Sequence, residues 1–296
     1  MESLLGPAAH ALLIAFLVSV MISVGLEVTQ GECIAALRDK RLLFGALFGN
    51  FVVVPLVGLL IAKVLPMPAN IETGFLLLAA APGAVFAINF TRNMRDSVPA
   101  AAGVLFLLTI LSLLFTPPLA RFLLNSDQAL TFRYDRAIWA LFLYIFLPIL
   151  VGLILNHWAH PVALRLRKPM SICASVCFVL EIVLTGSLKS AAMKQVGING
   201  LCAMLILVII GMVAGWLLGG PADGTRRVLA INTSLRNVGL CLAIASGSFQ
   251  GADVDVGVIA FSALMLPPNA IFTFYNVRKM KKRATQSIRA AVPGNP

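Results

Sequence analysis

Long apolar stretches alternate with short polar segments along the whole chain. A transmembrane helix needs about 20 mostly apolar residues, and nine stretches reach about that length. They lie at residues 8–26, 42–65, 71–91, 98–124, 137–156, 170–189, 198–218, 228–247 and 256–277. The pattern predicts an all-α, polytopic membrane protein with about nine transmembrane helices, called spans 1 to 9 below. Because span 1 follows no basic residue and is longer than the core of a signal peptide, we expect it to be a retained helix.

The Lys and Arg residues fall unevenly on the two sides of such a chain. Alternate threading of the nine spans places sixteen of the 23 in one set of loops and the C-terminal tail, and six in the other set. Since cytoplasmic loops carry an excess of Lys and Arg, we expect the N-terminus outside, the C-terminus in the cytoplasm and a plasma (inner) membrane location. Residues 278–296 would form a basic cytoplasmic tail. The remaining basic residue, Arg236, lies inside span 8.

Composition supports the membrane assignment. Hydrophobic residues make up 59% of the chain, charged residues 12%, and the mean hydropathy is +0.95, which a soluble chain of this length does not reach. The net charge of +11 could suggest a nucleic-acid partner, but the basic residues lie in short clusters between apolar stretches. The five cysteines show no metal-like spacing with histidine. We therefore predict a lipid bilayer as partner, no nucleic acid, no metal or other cofactor and no enzymatic activity, and the oligomeric state stays open.

Helix-breaking and polar residues interrupt spans 3 and 8. Pro82 and Gly83 divide span 3, with Asn89 shortly after them. Span 8 carries a run of polar and small residues: Asn232, Thr233, Ser234, Arg236, Asn237 and Gly239. Unwound backbone is tolerated at membrane depth only where it lines a cavity, and paired interruptions in two halves of a chain indicate a transporter binding site. Similar lead-ins at 66–70 and 219–224, on opposite sides of the membrane, predict an inverted repeat.

Arg236 lies about nine residues from the charged flank of span 8, which places its guanidinium roughly 14 Å into the hydrocarbon core. An ion at that depth costs several kcal/mol unless it has a partner. A transported anion would be such a partner. Asn232, Thr233, Asn237 and Asn89 are the expected sources of further hydrogen bonds to that anion.

Glu181 is the second ionisable residue deep in a span, roughly 20 Å along a helix from Lys168. An isolated carboxyl there is expected to take up a proton, whereas an adjacent arginine would hold it ionised. Two interpretations stay open. Glu181 and Arg236 could form a structural ion pair, because buried charges are usually paired. Alternatively, Glu181 is a proton-binding site that alternates with substrate for the arginine.

Four stretches resemble the bile acid:sodium symporter family, often called BASS, and the resemblance covers nearly the whole chain. They are MISVGLE at 21–27, NFVVVP at 50–55, APG at 81–83 and SLRNVGL at 234–240. The resemblance implies a panel domain and a core domain, with two broken helices crossing in the core near the substrate and sodium sites. Spans 3 and 8 would then cross, spans 2–4 and 7–9 would form the core and spans 1, 5 and 6 the panel, within a transporter domain of residues 1–277.

The sodium ligands implied by the family map poorly onto this chain. The family has a Glu-x-x-x-Gln-Asn-x-Gly pattern on the second crossing helix. In this chain, Asn232 stands in place of the glutamate and Arg236 in place of the glutamine. The family's Ser-Asn pair on the first crossing helix falls on Ala87 and Ile88, with Asn89 one residue out of register. A glutamine of the family's second span falls on Asn50. An anionic ligand is lost and a cation is gained, so sodium coupling stays open.

These observations predict a secondary transporter that moves a small organic anion by alternating access, with Arg236 binding the anionic group. One alternative is a sodium-coupled organic anion symporter with a rearranged sodium site at Asn50, Asn89 and Asn232. Another is a membrane sensor that has the fold but does not transport. A membrane enzyme is disfavoured because no nucleophile–base pair or His/Glu metal cluster stands out among the few intramembrane polar residues.

Overall fold

The computed structural model describes residues 2–29, 31, 34, 38–83, 86–94, 98–124, 133–249 and 253–291. The α-helices in the first half are α1 (Glu2–Glu27), α2 (Lys40–Phe48), α3 (Val54–Val64), α4 (Ala69–Ala80), α5 (Phe86–Asn93), α6 (Val98–Leu123), α7 (Tyr134–Leu141) and α8 (Leu147–Trp158). Those in the second half are α9 (His160–Leu188), α10 (Ser190–Lys194), α11 (Gly197–Leu218), α12 (Asp223–Ser234), α13 (Val238–Ser248), α14 (Val254–Leu264) and α15 (Leu266–Ala291). Short π-helical turns, Gly49–Val53 and Phe142–Phe146, join α2 to α3 and α7 to α8.

The predicted all-α membrane fold is confirmed. Within the described residues, eight helical stretches are long and apolar enough to cross a membrane, and they correspond to every predicted span except span 3. Span 3 consists instead of α4 and α5, separated by the non-helical residues from Ala81 onward. The orientation of the termini stays a prediction from the charges.

The outer surface of the helices is apolar. Large side chains such as Leu150, Val183, Ile209 and Leu217 are exposed on α8, α9 and α11. A contiguous apolar surface of this kind would be unfavourable in water and fits the acyl chains of a bilayer. By contrast, every residue in the most apolar part of span 8 is buried. Span 8 therefore lies at the centre of the protein, surrounded by the other helices.

Spans 1, 5 and 6 pack closely together. Helix α1 lies along both α8 and α9 over much of its length. Gly25 on α1 and Gly152 on α8 allow this approach, because a Cβ added at Gly152 would come within 2.5 Å of the carbonyl oxygen of Ile22. Small residues permit such backbone contact between membrane helices. These three spans thus form one packed group, and α1 faces the centre of the protein.

The remaining helices surround the two interrupted spans. Helix α4 packs against α14, α11 packs against α12, and α13 packs against α7 and α14. Helix α12 also contacts α5 and α6. Both breaks are therefore enclosed by protein, where unwound backbone can be satisfied by neighbouring groups.

Candidate functional site

The first break follows the end of α4. Gly83 has φ +96°, a conformation that favours glycine, and a Cβ there would lie 2.6 Å from Thr109 Oγ1. Two threonines of α6 approach the freed carbonyl groups: Thr116 Oγ1 donates to the carbonyl oxygen of Ala80 at 2.9 Å, and Thr109 Oγ1 lies 3.4 Å from that of Gly83. Span 4 thus supplies the hydrogen bonds that the interrupted helix lacks. Sequence reasoning did not identify these threonines, although small hydroxyl residues in an apolar span are the signal that would indicate them.

The second break comprises Leu235, Arg236 and Asn237. Asn237 begins α13 as its N-cap, with Oδ1 accepting from the backbone N–H of Leu240 at 3.0 Å. The backbone N–H of Asn237 donates to the carbonyl oxygen of Ala81 at 2.9 Å. This bond joins the two breaks directly, as the crossing of spans 3 and 8 requires. The crossing point is therefore a connection between two unwound segments.

Arg236 is the largest fully buried side chain in the described part of the protein, at 1% exposure. Its Nη2 donates to the backbone carbonyl of Thr233, three residues earlier, while Nη1 has no hydrogen-bond partner. No carboxylate lies within ion-pair distance of it among the described residues. A buried charge with this little compensation is costly, so the site is suited to an anion from outside the chain.

A small cavity beside Arg236 is lined by hydrogen-bond donors. Asn237 Nδ2 is buried and has no partner, and the first residues of α13, Val238 and Gly239, form part of the wall. The N-terminus of a helix favours negative charge because its N–H groups point outward and its dipole is positive there. Three sources of positive potential therefore meet in one place.

The other walls of this cavity are apolar. Phe16, Val20 and Met21 of α1 and Phe86 of α5 face Arg236. The cavity measures about 10 Å³, which is about the space that one water molecule needs. The structure thus represents a closed arrangement in which an organic anion does not fit.

The predicted residues Asn50, Thr233 and Asn232 do not line the cavity beside Arg236. Asn50, in the first π-helical turn, donates from Nδ2 to Thr233 Oγ1 at 3.3 Å and to the carbonyl oxygen of Ala46 at 2.9 Å. Asn232 donates from Nδ2 to the carbonyl oxygen of Val228 at 3.0 Å. The amide oxygens Oδ1 of both asparagines are buried without a donor. Asn50 and Asn232 therefore offer free acceptors, whereas Arg236 and Asn237 offer free donors.

Two further asparagines belong to spans 3 and 9. Asn89 lies on α5, but its side chain is outside the described part of the structure. Asn269, at the start of α15, accepts from Ser234 Oγ through Oδ1 at 2.7 Å. This hydrogen bond connects span 9 with the end of α12.

Glu181 does not contact Arg236. It lies on α9 at 5% exposure, and its Oε1 accepts from Thr185 Oγ1 at 3.2 Å. It lines a different cavity, shared with Lys189, Asp253 and Asp255. The interpretation of Glu181 and Arg236 as a structural ion pair is therefore not supported, and the proton-site interpretation stays a prediction.

Lys189 connects span 6 with the start of α14. Its Nζ lies 2.8 Å from Asp253 Oδ1 and 2.8 Å from Asp255 Oδ1. Burial alone would lower the pKa of Lys189, but the hydrogen bonds to Asp253 and Asp255 outweigh it and raise the pKa above its ordinary value. The ammonium group is thus held charged between two carboxylates.

The fold and the site together define a class. The protein is a polytopic helical membrane protein in which two interrupted helices meet at a buried, polar centre, an arrangement found in secondary transporters. The chain belongs to the Sodium Bile acid symporter family, whose model matches residues 14–213. This match confirms the resemblance read from the sequence and identifies a family of transporters, not of enzymes. It ends before Arg236, so the role of that residue depends on the geometry described above.

Several known proteins are similar to the chain. The probable sodium/metabolite cotransporter BASS3 of Arabidopsis thaliana chloroplasts is 27% identical over 237 residues, which cover 78% of this chain and 53% of the plant protein. The P3 protein of Homo sapiens is 25% identical, over 78% of this chain and 49% of its own length. The uncharacterized sodium-dependent transporter YocS of Bacillus subtilis (strain 168) is 20% identical, over 91% and 84%. The chain spans about half the length of the plant and human relatives.

Proposed function

We propose that this protein is a secondary transporter that moves a small organic anion across the membrane by alternating access. The observation that carries the proposal is the environment of Arg236, a buried guanidinium without a carboxylate partner among the described residues. Names of relatives such as BASS3 and YocS, which describe transporters, support the general activity. The proposed setting is the plasma membrane, with the C-terminus in the cytoplasm.

The anionic group of the substrate would bind between Arg236 and the N-terminus of α13. The free Nη1 of Arg236 and the free Nδ2 of Asn237 are the donors available to it. A carboxylate accepts paired hydrogen bonds from a guanidinium, and such charge-assisted bonds are the strongest that a side chain makes. Because the two donors belong to adjacent residues, Arg236 and Asn237, both can bind the same small anionic group.

Alternating access follows from the closed state of the cavity. About 10 Å³ beside Arg236 leaves no room for an organic anion, so binding requires that α1 separate from the two breaks. Since α1 packs with α8 and α9, we infer that spans 1, 5 and 6 act as the panel and spans 2–4 and 7–9 as the core. Relative movement of these groups would open the cavity to one side of the membrane at a time.

Sodium-coupled transport is the second candidate function. The observation that favours it is the pair of buried amide oxygens, Asn50 Oδ1 and Asn232 Oδ1, which lack donors. Two neutral oxygens are a weak set for sodium, because hard cations prefer several oxygen ligands with some negative charge. If sodium is cotransported, the variants Asn50→Ala and Asn232→Ala should lower sodium stimulation while Arg236 stays essential.

Flux into proteoliposomes tests the proposal. Purified protein is reconstituted, and uptake of labelled pyruvate, succinate and cholate is measured with sodium and pH gradients imposed separately. We expect saturable uptake of at least one anion that is lost in Arg236→Gln and retained in Arg121→Gln, an exposed arginine on α6. Binding without flux would identify a sensor instead, and equal uptake by Arg236→Gln and the native chain would overturn the anion site.

A further inference from the structure

Glu181 lies in a second cavity, about 310 Å³ in volume, where α1 and α9 meet α13 and the start of α14. Helix α9 contributes Glu181, α1 contributes His10 and Leu13, and the wall opposite α9 comes from α13 and the start of α14. The cavity thus separates spans 1 and 6 from the helices that hold the second break. A change in the relative position of these groups would change the surroundings of Glu181.

The carboxyl group of Glu181 has little to stabilise a charge. Only Oε1 has a hydrogen bond, from Thr185 on the same helix, and Oε2 is buried without a partner. At 5% exposure, the side chain has lost nearly all of its water. An ionised carboxylate in such a place is strongly disfavoured, whereas the neutral acid is tolerated.

The other titratable groups around the cavity do not neutralise Glu181. Lys189, which follows α9, contacts both Asp253 and Asp255 through its ammonium group. His10 lines the cavity from α1, and α13 contributes only the uncharged residues Leu242, Ala245 and Ser246. The lysine in this lining is therefore already engaged by two carboxylates.

A proton fits this site better than a metal ion. Metal ions need several converging ligands, and no group of three or more His, Cys, Asp or Glu side chains that could hold a metal ion occurs in the described part of the chain. A proton needs only the free oxygen Oε2. It can reach the cavity from the surface, because the side chains of Lys189, Asp253 and Asp255 at its mouth are 31% to 44% exposed.

We propose that the cavity at Glu181 is a proton-binding site that controls the opening of the Arg236 cavity. Neutral Glu181 stabilises the closed arrangement, in which α9 packs against α14 and shares the lining of the cavity with α13. Loss of the proton favours separation of these groups, because only then can water solvate the carboxylate. The consequence for anion movement rests on the transport function proposed above, but proton binding and opening do not depend on it.

Infrared spectroscopy on the purified protein tests proton binding without any substrate. The native chain should show a C=O stretching band of a protonated, buried carboxyl that disappears as the pH rises. The band should be missing in Glu181→Gln and present in Glu72→Gln, a half-buried glutamate on α4 outside this cavity. A titrating band that survives in Glu181→Gln, or no titrating band in the native chain, would overturn the proposal. If Glu181→Gln does not fold, Glu181→Asp serves instead, and its band should shift because the carboxyl moves.

Thiol labelling tests the effect on opening. In a background without native cysteines, Val20→Cys reports access to the Arg236 cavity, since Val20 is one of its walls. Each labelling rate is divided by the rate of the same variant unfolded in denaturant at the same pH, because thiolate formation speeds up labelling of any cysteine as the pH rises. This ratio should rise across the titration of the infrared band, and in Glu181→Gln it should stay low at every pH. A ratio that is independent of pH in the native background, or that keeps its pH dependence in Glu181→Gln, would contradict control by this carboxyl.

Discussion

Two buried ionisable side chains, Arg236 and Glu181, occupy contrasting cavities. The cavity at Arg236 has a volume of about 10 Å³ and lies at the crossing of two unwound segments. The cavity at Glu181 has a volume of about 310 Å³ and reaches the surface beside half-exposed ion pairs. Unpaired donors line the first, and an unpaired acceptor lies in the second.

This difference shows that opposite charges in one membrane protein do not necessarily neutralise each other. If Arg236 and Glu181 formed an ion pair, each charge would be neutralised by the other, and neither side chain would need a ligand. Because they lie in separate cavities, each retains an unsatisfied hydrogen-bonding atom. The physical expectation is then a separate ligand for each, an anion for the guanidinium and a proton for the carboxyl.

The largest expected effect is the loss of anion binding in Arg236→Gln. Removing one partner of a buried, charge-assisted contact costs roughly 2–5 kcal/mol, enough to abolish binding at ordinary concentrations. Arg236→Lys should bind more weakly than the native chain, because the planar fork is lost. Thermal-shift titration with the transported anion measures both effects, and Arg121→Gln is the control. Native affinity for the anion in Arg236→Gln would contradict the assignment of the Arg236 cavity as the anion-binding site.

The double variant Arg236→Gln, Glu181→Gln should not recover transport. Mutations at sites without shared contacts have additive effects, to within about 0.5 kcal/mol. Since the two side chains lie in separate cavities, the double variant should be as inactive as Arg236→Gln alone. Uptake into proteoliposomes measures this outcome. Recovery of full uptake would mean that the two charges do compensate each other.

Gly83→Ala should destabilise the first break. Alanine at φ +96° is strained, at a cost of about 1–3 kcal/mol, and its Cβ would clash with Thr109. We expect a lower midpoint of thermal unfolding in detergent and weaker anion binding, since this break is hydrogen-bonded to the one that holds Arg236. Gly186→Ala is a matched control, because a Cβ there meets nothing within 4 Å. The infrared band of Glu181 should be unchanged in Gly83→Ala, which would separate the two cavities experimentally.

The smallest expected effect concerns Lys189, at the mouth of the Glu181 cavity. Its partly exposed ion pairs contribute no more than about 1 kcal/mol. Because its pKa is raised in the folded state, this contribution is fully present below its ordinary pKa of 10.5 and is lost as the pH rises through the higher folded value. The stability difference between the native chain and Lys189→Met should therefore be constant from neutral pH to about pH 10 and shrink above it. Chemical unfolding over this range checks the sign, with exposed Lys194→Met as control.

The number of spans, the two interrupted helices and the burial of Arg236 could all be predicted from the sequence. Each depends on one-dimensional information: the length of an apolar stretch, the position of Pro82 and Gly83, and the distance of Arg236 from a charged flank. In a bilayer such sequence patterns predict structure well, because every backbone N–H and C=O group must be hydrogen-bonded within a helix or to a nearby partner. The family match over residues 14–213 agrees with that reading.

Which groups meet across the helices was decided by tertiary structure alone. Hydropathy places both Glu181 and Arg236 deep in their spans but does not give the rotation of each helix about its axis, and in the folded protein the two residues line different cavities. For the same reason, the sequence did not predict the contacts of Thr109 and Thr116. Their hydroxyl groups approach the carbonyl groups of the first break from another span. The closed volume beside Arg236 likewise depends on the packing of α1, a helix more than 200 residues away in sequence.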